Sequence, residues 1–248
     1  MPDRFVDLFS DGAAGYRAAR PTYPSELFAA LAALAPGRAL AWDAGTGNGQ
    51  AAIGLARHFD RVHATDASAR QIAAAMPAER VHYAVEPAER VSLADGSADL
   101  VLAAQSLHWF DRDLFYAEAA RALKPQGLLA AVGYAWMHVS PAIDRAIDIH
   151  LLTPLAPWWA PQNALLWDGY RSIRFPGEEV RLGPFALHLE WTLAEALGYV
   201  RSWSAVRALA AAEGEGTIAA AAAALAPLWG RGRRRVVMPL HVRAARIG

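Results

Sequence analysis

The chain has 248 residues, 54% of them hydrophobic and 19% charged, and its 24 basic and 24 acidic side chains cancel. A disordered chain would be poorer in apolar residues and more strongly charged, so this composition indicates a folded protein. The neutral charge argues against a nucleic-acid partner, because binding to phosphates normally needs a basic excess. The absence of cysteine excludes disulfides, iron–sulfur clusters and thiol nucleophiles.

The start of the chain and its apolar runs predict where the protein works. Acidic residues and no apolar stretch occupy the N-terminus, so we expect no signal peptide. The longest uncharged apolar run, Ile218 to Trp229, is shorter than the roughly 20 residues that a membrane span needs. We therefore expect a cytoplasmic protein without a membrane partner. We expect it to be a monomer or a homodimer.

The first helical pattern runs from Ser25 to Leu34, after Pro24 and before Pro36. Beyond it, short apolar runs alternate with helical patterns. The predicted strands are Ala39–Trp42, Val62–Thr65, Val81–Val85, Asp99–Ala103 and Leu128–Val132, and the helices between them are Gln50–Phe59, Ser68–Met76 and Asp111–Leu123. This alternation is typical of βαβ units and predicts an α/β protein with a Rossmann-like, doubly wound, mostly parallel sheet.

The pattern changes after Tyr134, where helical spacing dominates. The predicted helices are Pro141–Leu152, Ala164–Tyr170, Leu193–Arg201, Ser204–Ala212 and Thr217–Leu225. Two further strands, Val180–Leu189 and Val236–Ile247, would join the sheet edge and bring it to seven strands. We therefore predict an N-terminal segment over 1–36, a Rossmann-like core over 37–134, a mostly helical insertion over 135–230 that includes one edge strand, and a final core strand within 231–248.

The segment that carries the chemistry follows the first predicted strand. Asp43 ends that strand, and three glycines at alternate positions, Gly45, Gly47 and Gly49, precede the next helix. The glycines permit a tight turn and let a ligand approach the backbone closely. Asp66 ends the next predicted strand, where a carboxylate can bind both hydroxyls of a ribose.

The spacing of this loop discriminates between nucleotide ligands. A dinucleotide fingerprint needs glycines at positions 45, 47 and 50, and position 50 is Gln. A carboxylate at Asp43 would repel a pyrophosphate and attract an ammonium group. The loop therefore predicts a cationic nucleoside and disfavours a nicotinamide-dependent oxidoreductase.

These residues resemble the class I methyltransferases that use S-adenosylmethionine, from about residue 9 to 134 and more loosely to the end. The resemblance implies that the glycine loop holds the methionine part of this cofactor, that Asp66 binds its ribose, and that residues 88–89 lie beside its adenine. The cofactor-binding residues expected on this basis are Tyr16, Arg20, Asp43, Gly45, Thr46, Gly47, Asn48, Gly49, Asp66, Ala67, Ala88, Glu89 and Gln105.

A narrower resemblance is carried by two segments together, Phe9–Pro24 and Leu107–Phe110. The pair resembles the small-molecule branch of methyltransferase type 11, which includes trans-aconitate methyltransferase and ubiquinone-type enzymes. In that branch the N-terminal segment folds over the cofactor, which implies that Tyr16 and Arg20 lie at its methionine end. Arg20 could bind the cofactor carboxylate, or it could be an ordinary surface arginine.

His108 and Tyr16 are the candidate catalytic residues. His108 follows the fourth predicted strand and could accept a proton from the substrate nucleophile, hydrogen-bond the substrate, or serve only packing. A carboxylate acceptor would need no base at all. The histidines show no metal-ligand spacing, so no metal site is predicted.

Tryptophan is distributed unevenly: seven of the nine tryptophans lie after residue 130, in the part of the chain that should select the substrate. This asymmetry favours a large apolar or aromatic substrate, although core packing explains most single aromatic residues. We expect Trp158 and Trp159 in an exposed proline-rich loop, as a lid or as a contact with another protomer. The candidate substrate-binding residues are Tyr23, Ser106, His108, Trp109, Trp136, Trp158 and Trp159.

The sequence therefore predicts a methyltransferase that moves the sulfonium methyl of S-adenosylmethionine to an O, N or C nucleophile of a small, partly apolar molecule. Two alternatives keep the cofactor. One is attack on a different sulfonium-linked carbon, including an intramolecular displacement that consumes the cofactor alone. The other is a non-catalytic module that binds S-adenosylmethionine.

Overall fold

The computed structural model describes residues 21–247, and over this range eight strands form one sheet. The strands are β1 Leu40–Ala44, β2 Arg61–Asp66, β3 Val81–Val85, β4 Ala98–Ala104, β5 Leu123–Tyr134, β6 Glu178–Val180, β7 Phe185–Trp191 and β8 Arg234–Ile247. Their order is β3-β2-β1-β4-β5-β8-β6, and β7 also pairs with β8. β1 to β5 pair in parallel and β8 runs antiparallel to its neighbours. The predicted Rossmann-like, mostly parallel sheet is confirmed.

The strand count differs from the predicted seven because the segment 180–189 is not one strand. β6 pairs with the C-terminal half of β8 and β7 with its N-terminal half. Between them, Gly183 has a left-handed φ of +88° and Pro184 has no N–H to donate. The ladder is therefore interrupted, and two short strands share the outer edge of β8.

Nine α-helices of five residues or more lie before or between these strands within the described range. They are α1 Ser25–Leu34, α2 Gln50–Leu55, α3 Ala69–Ala73, α4 Arg112–Ala122, α5 Pro141–Ile147, α6 Asn163–Trp167, α7 Leu193–Arg201, α8 Ser204–Glu213 and α9 Gly216–Trp229. The predicted bounds of α1 and α7 are confirmed. α6 ends before Tyr170 because Gly169 and Tyr170 both adopt positive φ, +69° and +61°.

The core lies on both faces of the sheet, as expected for strands that are buried on each side. All five residues of β1 are buried, and the neighbours Ala41 and Trp42 belong to different apolar clusters. α1 packs into the first cluster through Leu27 and Leu31, and α4 packs into the second through Phe115. Apolar residues that alternate along a strand thus anchor helices on opposite faces.

The strand order reverses between β1 and β4. From β1 the chain proceeds outward to β2 and β3, and β4 then returns to the other side of β1 and continues to β5. In open α/β sheets, ligands bind in the crevice at the carboxyl ends of the strands at such a reversal. The glycine loop and residues 105–109 both begin at this edge of the sheet.

The expectation of an exposed proline-rich loop around Trp158 and Trp159 is wrong. Three short helical turns, Asp148–Leu152, Thr153–Leu155 and Ala156–Trp158, extend α5 through this segment. Pro154 and Pro157 are the second residues of the last two turns, where a missing N–H is tolerated. Both indoles are half-buried and pack against the core.

Between residues 21 and 247, no single helix has the length and apolar composition of a membrane span. α8 and α9 pass this test of length and composition only when taken together, and they are bent by 118° relative to each other.

Candidate functional site

The loop between β1 and α2 is shaped by glycines in left-handed conformations. Gly45, Gly47 and Gly49 have φ values of +67°, +57° and +90°. A Cβ on Gly45 would lie 2.6 Å from the Cβ of Ser106, and one on Gly49 would overlap the hydroxyl of Tyr83. Packing as well as backbone conformation therefore requires glycine at positions 45 and 49.

Gly47 differs from the other two because its surroundings are open. Among the described residues, a Cβ built there would meet no atom closer than Gln71 Oε1, at 4.0 Å. Its backbone N–H donates a 2.9 Å hydrogen bond to Asp66 Oδ2. The open side of Gly47 is thus where a ligand could approach the backbone next to a carboxylate.

Asp66 ends β2 and holds two backbone segments. Besides Gly47, its carboxylate accepts the N–H of Ser68 at 2.8 Å, at the start of α3. Asp66 remains partly accessible, and the adjacent Ala67 is exposed. The carboxylate therefore faces an accessible region next to the glycine loop, as a ribose-binding acid requires.

Asp43 is a fully buried carboxyl group at the base of the loop. Its Oδ2 accepts the hydroxyl proton of Thr46 at 2.5 Å, and its Oδ1 has no hydrogen-bond partner in the described part of the chain. Burial raises the pKa of Asp43 to about 7; the Thr46 hydroxyl and the nearby N–H of Ala52 oppose the shift, and the charge of Asp66 adds to it. A cation close to the loop would favour the ionised form of Asp43.

The remaining predicted cofactor residues occupy different environments. Asn48 is buried in the loop, and its Nδ2 has no acceptor among the described residues. Ala88 is buried after β3, and the carboxylate of Glu89 accepts the N–H of Asp111 at the start of α4. Tyr16 and Arg20 lie outside the described residues.

The carboxyl end of β4 is joined to the glycine loop by Ser106. The Ser106 hydroxyl donates to the carbonyl of Ala44 at 2.8 Å, so this predicted substrate residue is engaged in holding β1 and β4 together. Gln105 has a strained φ of +56° for a residue with a side chain. Its Nε2 donates to the carbonyl of Tyr134, and its buried Oε1 has no hydrogen-bond partner within residues 21–247.

A small cavity of about 70 Å³ opens beyond Gln105, at the ends of β4 and β5. Its lining residues are Gln105, His108, Trp109, Tyr134, Ala135, Trp136, Trp159, Asn163, Leu166, Trp167, Tyr199, Trp203 and Ser204. The sequence analysis selected five of these, Gln105, His108, Trp109, Trp136 and Trp159, for the cofactor or the substrate. Three predicted substrate residues, Tyr23, Ser106 and Trp158, do not line it.

Four indoles form one wall of the cavity, and we call them the tryptophan cluster: Trp136, Trp159, Trp167 and Trp203. The ring of Trp136 lies 5.4–5.8 Å from the other three, in edge-on and tilted contacts. Trp167 was not selected from the sequence, and Trp203 was only a secondary candidate for the substrate pocket. They come from α6 and from the residue before α8, and no local pattern relates these positions to Trp136.

His108 is buried on the cavity wall beside Tyr170, a residue that the sequence analysis missed. His108 Nδ1 lies 3.2 Å from the Tyr170 hydroxyl, and the His108 ring is tilted over Trp109 at 4.9 Å. Burial raises the pKa of Tyr170 well above its usual range, so its hydroxyl stays protonated. In the sequence, Tyr170 stands out only as part of the pair Gly169-Tyr170 at the end of a predicted helix. Such a pair does not by itself indicate a functional site.

Two other groups of side chains, the possible metal ligands and the arginines of the segment 231–235, do not contribute to this site. Within residues 21–247, no three His, Asp or Glu side chains converge as metal ligands. The arginines of the segment 231–235 are exposed, and Arg233 is tied to the carbonyl of Glu190 and to the carboxylate of Glu195.

Comparisons with known proteins agree on the type of domain. A family model described as a methyltransferase domain matches residues 42–131. A protein of Dictyostelium discoideum that bears a methyltransferase name is 32% identical over 207 residues, 82% of this chain and 79% of that protein. A solved structure from Anaeromyxobacter dehalogenans, described as a type II methyltransferase, matches with a TM-score of 0.86 and 41% identity over 92% of this chain and 98% of that one.

A more distant solved structure shares the fold alone. It is a protein of Anabaena variabilis described as a methyltransferase from an antibiotic biosynthesis pathway. The TM-score is 0.54 at 16% identity, over 90% of this chain and 99% of that chain.

Alanine substitutions in the loop should separate the cost of steric overlap from the cost of the left-handed backbone conformation. We expect Gly45→Ala and Gly49→Ala to lower the free energy of unfolding by about 3 kcal/mol or more, because each adds an overlap to the left-handed penalty. Gly47→Ala should lower the free energy of unfolding by only about 1–2 kcal/mol, because it incurs the conformational penalty without an overlap. Chemical denaturation measures all three, and equal losses would contradict this account of Gly47.

Asp43 should make stability depend on pH. Because its pKa is raised from 3.8 to about 7, the folded state binds the proton more tightly than the unfolded chain does. The stability that Asp43 contributes is therefore present below about pH 4 and is lost as pH rises through about 7, by at most roughly 4 kcal/mol.

The variant Asp43→Asn tests this pH dependence because it removes the charge and keeps the shape. We expect urea denaturation at about pH 5 and about pH 8 to show that wild type loses stability between them and that the variant loses less. Asp60→Asn, at an exposed aspartate, is the control and should lose as much as wild type. Equal losses in wild type and Asp43→Asn would contradict the assignment.

Proposed function

This chain belongs to the class I S-adenosylmethionine-dependent methyltransferases, and from that premise we propose that it methylates an O, N or C nucleophile of a small, partly apolar molecule. The observation that carries the proposal is the open side of Gly47, which lies next to the Asp66 carboxylate at the reversal of the strand order. The bound cofactor would supply a methyl group on a sulfonium leaving group.

The residues of the β1–α2 loop are suited to the methionine part of this cofactor. Asp43, with its pKa near 7, would gain stability as an anion near a cationic ligand. The orphan Nδ2 of Asn48 and Oε1 of Gln105 would find partners in a carboxylate and an ammonium group. Gly45, Thr46 and Gly49 would shape the loop.

The nucleoside part would extend from the loop along the ends of β2 and β3. In this proposal Asp66 binds the ribose hydroxyls with Ala67 alongside, and Ala88 and Glu89 lie beside the adenine. Tyr16 and Arg20 would cover the methionine end from segment 1–36.

The substrate would enter the cavity at the ends of β4 and β5. We assign Trp109, Trp136 and Trp159 to its apolar part and His108 to the vicinity of the nucleophile. Tyr23, Ser106 and Trp158 would support the site from outside the cavity. The insertion 135–230 would act as the substrate-selecting segment, and core 37–134 with the strand in 231–248 as the cofactor-binding unit.

The neutral charge of the chain and the small size of the cavity support the proposed class of partner. A neutral chain with a small aromatic cavity suits a small molecule and not a nucleic acid. A cytoplasmic monomer or homodimer without membrane contact would be consistent with this role.

Calorimetric titration with S-adenosylmethionine tests the proposal. We expect binding by the wild type and a loss of affinity of about 10-fold or more in Asp66→Ala, because the ribose hydroxyls lose a charged hydrogen-bond acceptor. The matched control is Asp60→Ala, at an exposed aspartate, which should bind like wild type. No binding by the wild type would overturn the proposal.

Mass spectrometry of the by-product then separates methyl transfer from the alternatives. Methyl transfer leaves S-adenosylhomocysteine, whereas attack on another sulfonium-linked carbon leaves methylthioadenosine. Tight binding without turnover across a broad panel of small molecules would indicate a non-catalytic module instead.

A further inference from the structure

Two amide side chains line the cavity, and a backbone carbonyl holds each of them by its nitrogen. Gln105 Nε2 donates to the carbonyl of Tyr134 at 2.9 Å, and Asn163 Nδ2 donates to the carbonyl of Ala160 at 3.1 Å. A carbonyl oxygen has no proton to donate, so the nitrogen of each amide must be the atom that faces it. The oxygen of each amide is therefore the end that is left for another partner.

Neither amide oxygen has a hydrogen-bond partner in the described part of the chain. Gln105 Oε1 is buried and accepts no hydrogen bond. Asn163 is only 5% exposed, and between residues 21 and 247 no donor reaches its Oδ1. An acceptor that is largely removed from water is costly unless a donor reaches it. The wall of the cavity thus presents two acceptors that N–H groups of a ligand would satisfy.

The backbone fixes the position of both amides. The N–H of Gln105 donates to the carbonyl of Val132 on β5 at 2.8 Å. The N–H of Asn163 donates at 3.0 Å to the carbonyl of Ala160, the same carbonyl that its side chain binds. A ligand that binds a side chain held in this way causes little further loss of side-chain freedom.

The oxygen of Asn163 lies on the same side of α6 as an indole of the tryptophan cluster. Asn163 begins α6 and Trp167 ends it, and a separation of four positions puts two helical side chains on one face. Both residues line the cavity, and the ring of Trp167 lies 5.4 Å from Trp136 and 5.6 Å from Trp159. Indole faces attract cations. An N–H acceptor and rings that favour positive charge therefore meet on one wall.

We propose that Asn163 is a specificity-determining residue whose Oδ1 accepts an N–H of a protonated amine on an aromatic or apolar substrate. This inference rests on the proposed function, which gives Gln105 Oε1 to the ammonium group of the cofactor and leaves Asn163 Oδ1 for the substrate. The tryptophan cluster would accept the apolar body. A carboxylate in the same place would face the lone pairs of Oδ1.

The amine contact binds and orients the substrate and is not itself the site of methyl transfer. A protonated amine has no lone pair with which to attack a methyl group. The nucleophile is therefore a different atom of the same molecule, and Asn163 acts by holding that molecule in the cavity beside His108.

Calorimetric titration with three probes tests the substrate class in the presence of S-adenosylhomocysteine. The probes are phenethylamine, its N-trimethylated analogue and phenylacetate, which share a phenyl ring on a short chain. We expect phenethylamine, protonated at neutral pH like a lysine side chain, to bind about 10-fold more tightly than the analogue, which keeps the charge and lacks N–H groups. Phenylacetate should bind most weakly. No binding of phenethylamine, equal binding of the two cations, or a preference for phenylacetate would overturn the proposal.

The variant Asn163→Leu tests the residue itself, because it removes the acceptor and keeps a side chain of similar size. We expect phenethylamine to lose about 10-fold in affinity and the trimethylated analogue to bind as it does to wild type. Gln162→Leu is the matched control, since Gln162 is the exposed neighbour and its side chain makes no capping hydrogen bond. It should bind both cations like wild type. An equal loss for both cations in Asn163→Leu, or a loss for neither, would contradict the role of Oδ1.

The variant Asn163→Asp supplies a second readout with the opposite sign, should the leucine variant not fold. A carboxylate at this position should raise the affinity for phenethylamine about 10-fold and weaken the binding of phenylacetate. Thermal unfolding checks that the variant is folded. Weaker or unchanged binding of phenethylamine by a folded Asn163→Asp would contradict the proposal.

The same titrations distinguish this inference from the proposed function. Failure of S-adenosylhomocysteine to bind would count against the proposed function, whereas binding of S-adenosylhomocysteine without the expected order of the probes would count against the role of Asn163 alone. The probes are also titrated into the cofactor-free protein. We expect the same order there, because Oδ1 of Asn163 and the indoles are in place without a cofactor. A different order there would count against the role of Asn163.

Discussion

The contact between Gly45 and Ser106 is the constraint on which the site depends. The Ser106 hydroxyl bonds the carbonyl of Ala44, and its Cβ occupies the space that a side chain at Gly45 would need. These contacts tie the end of β1 to the end of β4 where the strand order reverses. The glycine loop on one side and His108 on the other are therefore held at a fixed separation by two strands of the buried sheet.

The buried carboxyl group of Asp43 shows how the stability of the free protein and the binding of a cationic ligand make opposite demands on this fold. Burial disfavours the ionised form of Asp43 in the free protein, and a cationic ligand would stabilise that form. The cavity follows a different principle, since its wall is neutral and aromatic. The two halves of the site thus differ in character: a buried carboxyl group lies on the loop side and neutral aromatic rings lie on the tryptophan side.

The sequence predicts the elements whose signals are local. α1 lies between Pro24 and Pro36, and its bounds are confirmed; β3 likewise runs over the predicted Val81–Val85. The predicted single strand across Gly183-Pro184 is wrong because Gly183 adopts a left-handed φ and Pro184 has no N–H for the ladder. Tyr170 could not be found, because 62 positions separate it from His108 and only the folded chain brings them together.

A crystal structure of the complex with S-adenosylhomocysteine tests the central claim most directly. The account predicts the homocysteine part against Gly47, the ribose hydroxyls on the Asp66 carboxylate, and the sulfur facing the cavity between His108 and the tryptophan cluster. A ligand bound elsewhere, or one whose sulfur faces away from this cavity, would contradict it.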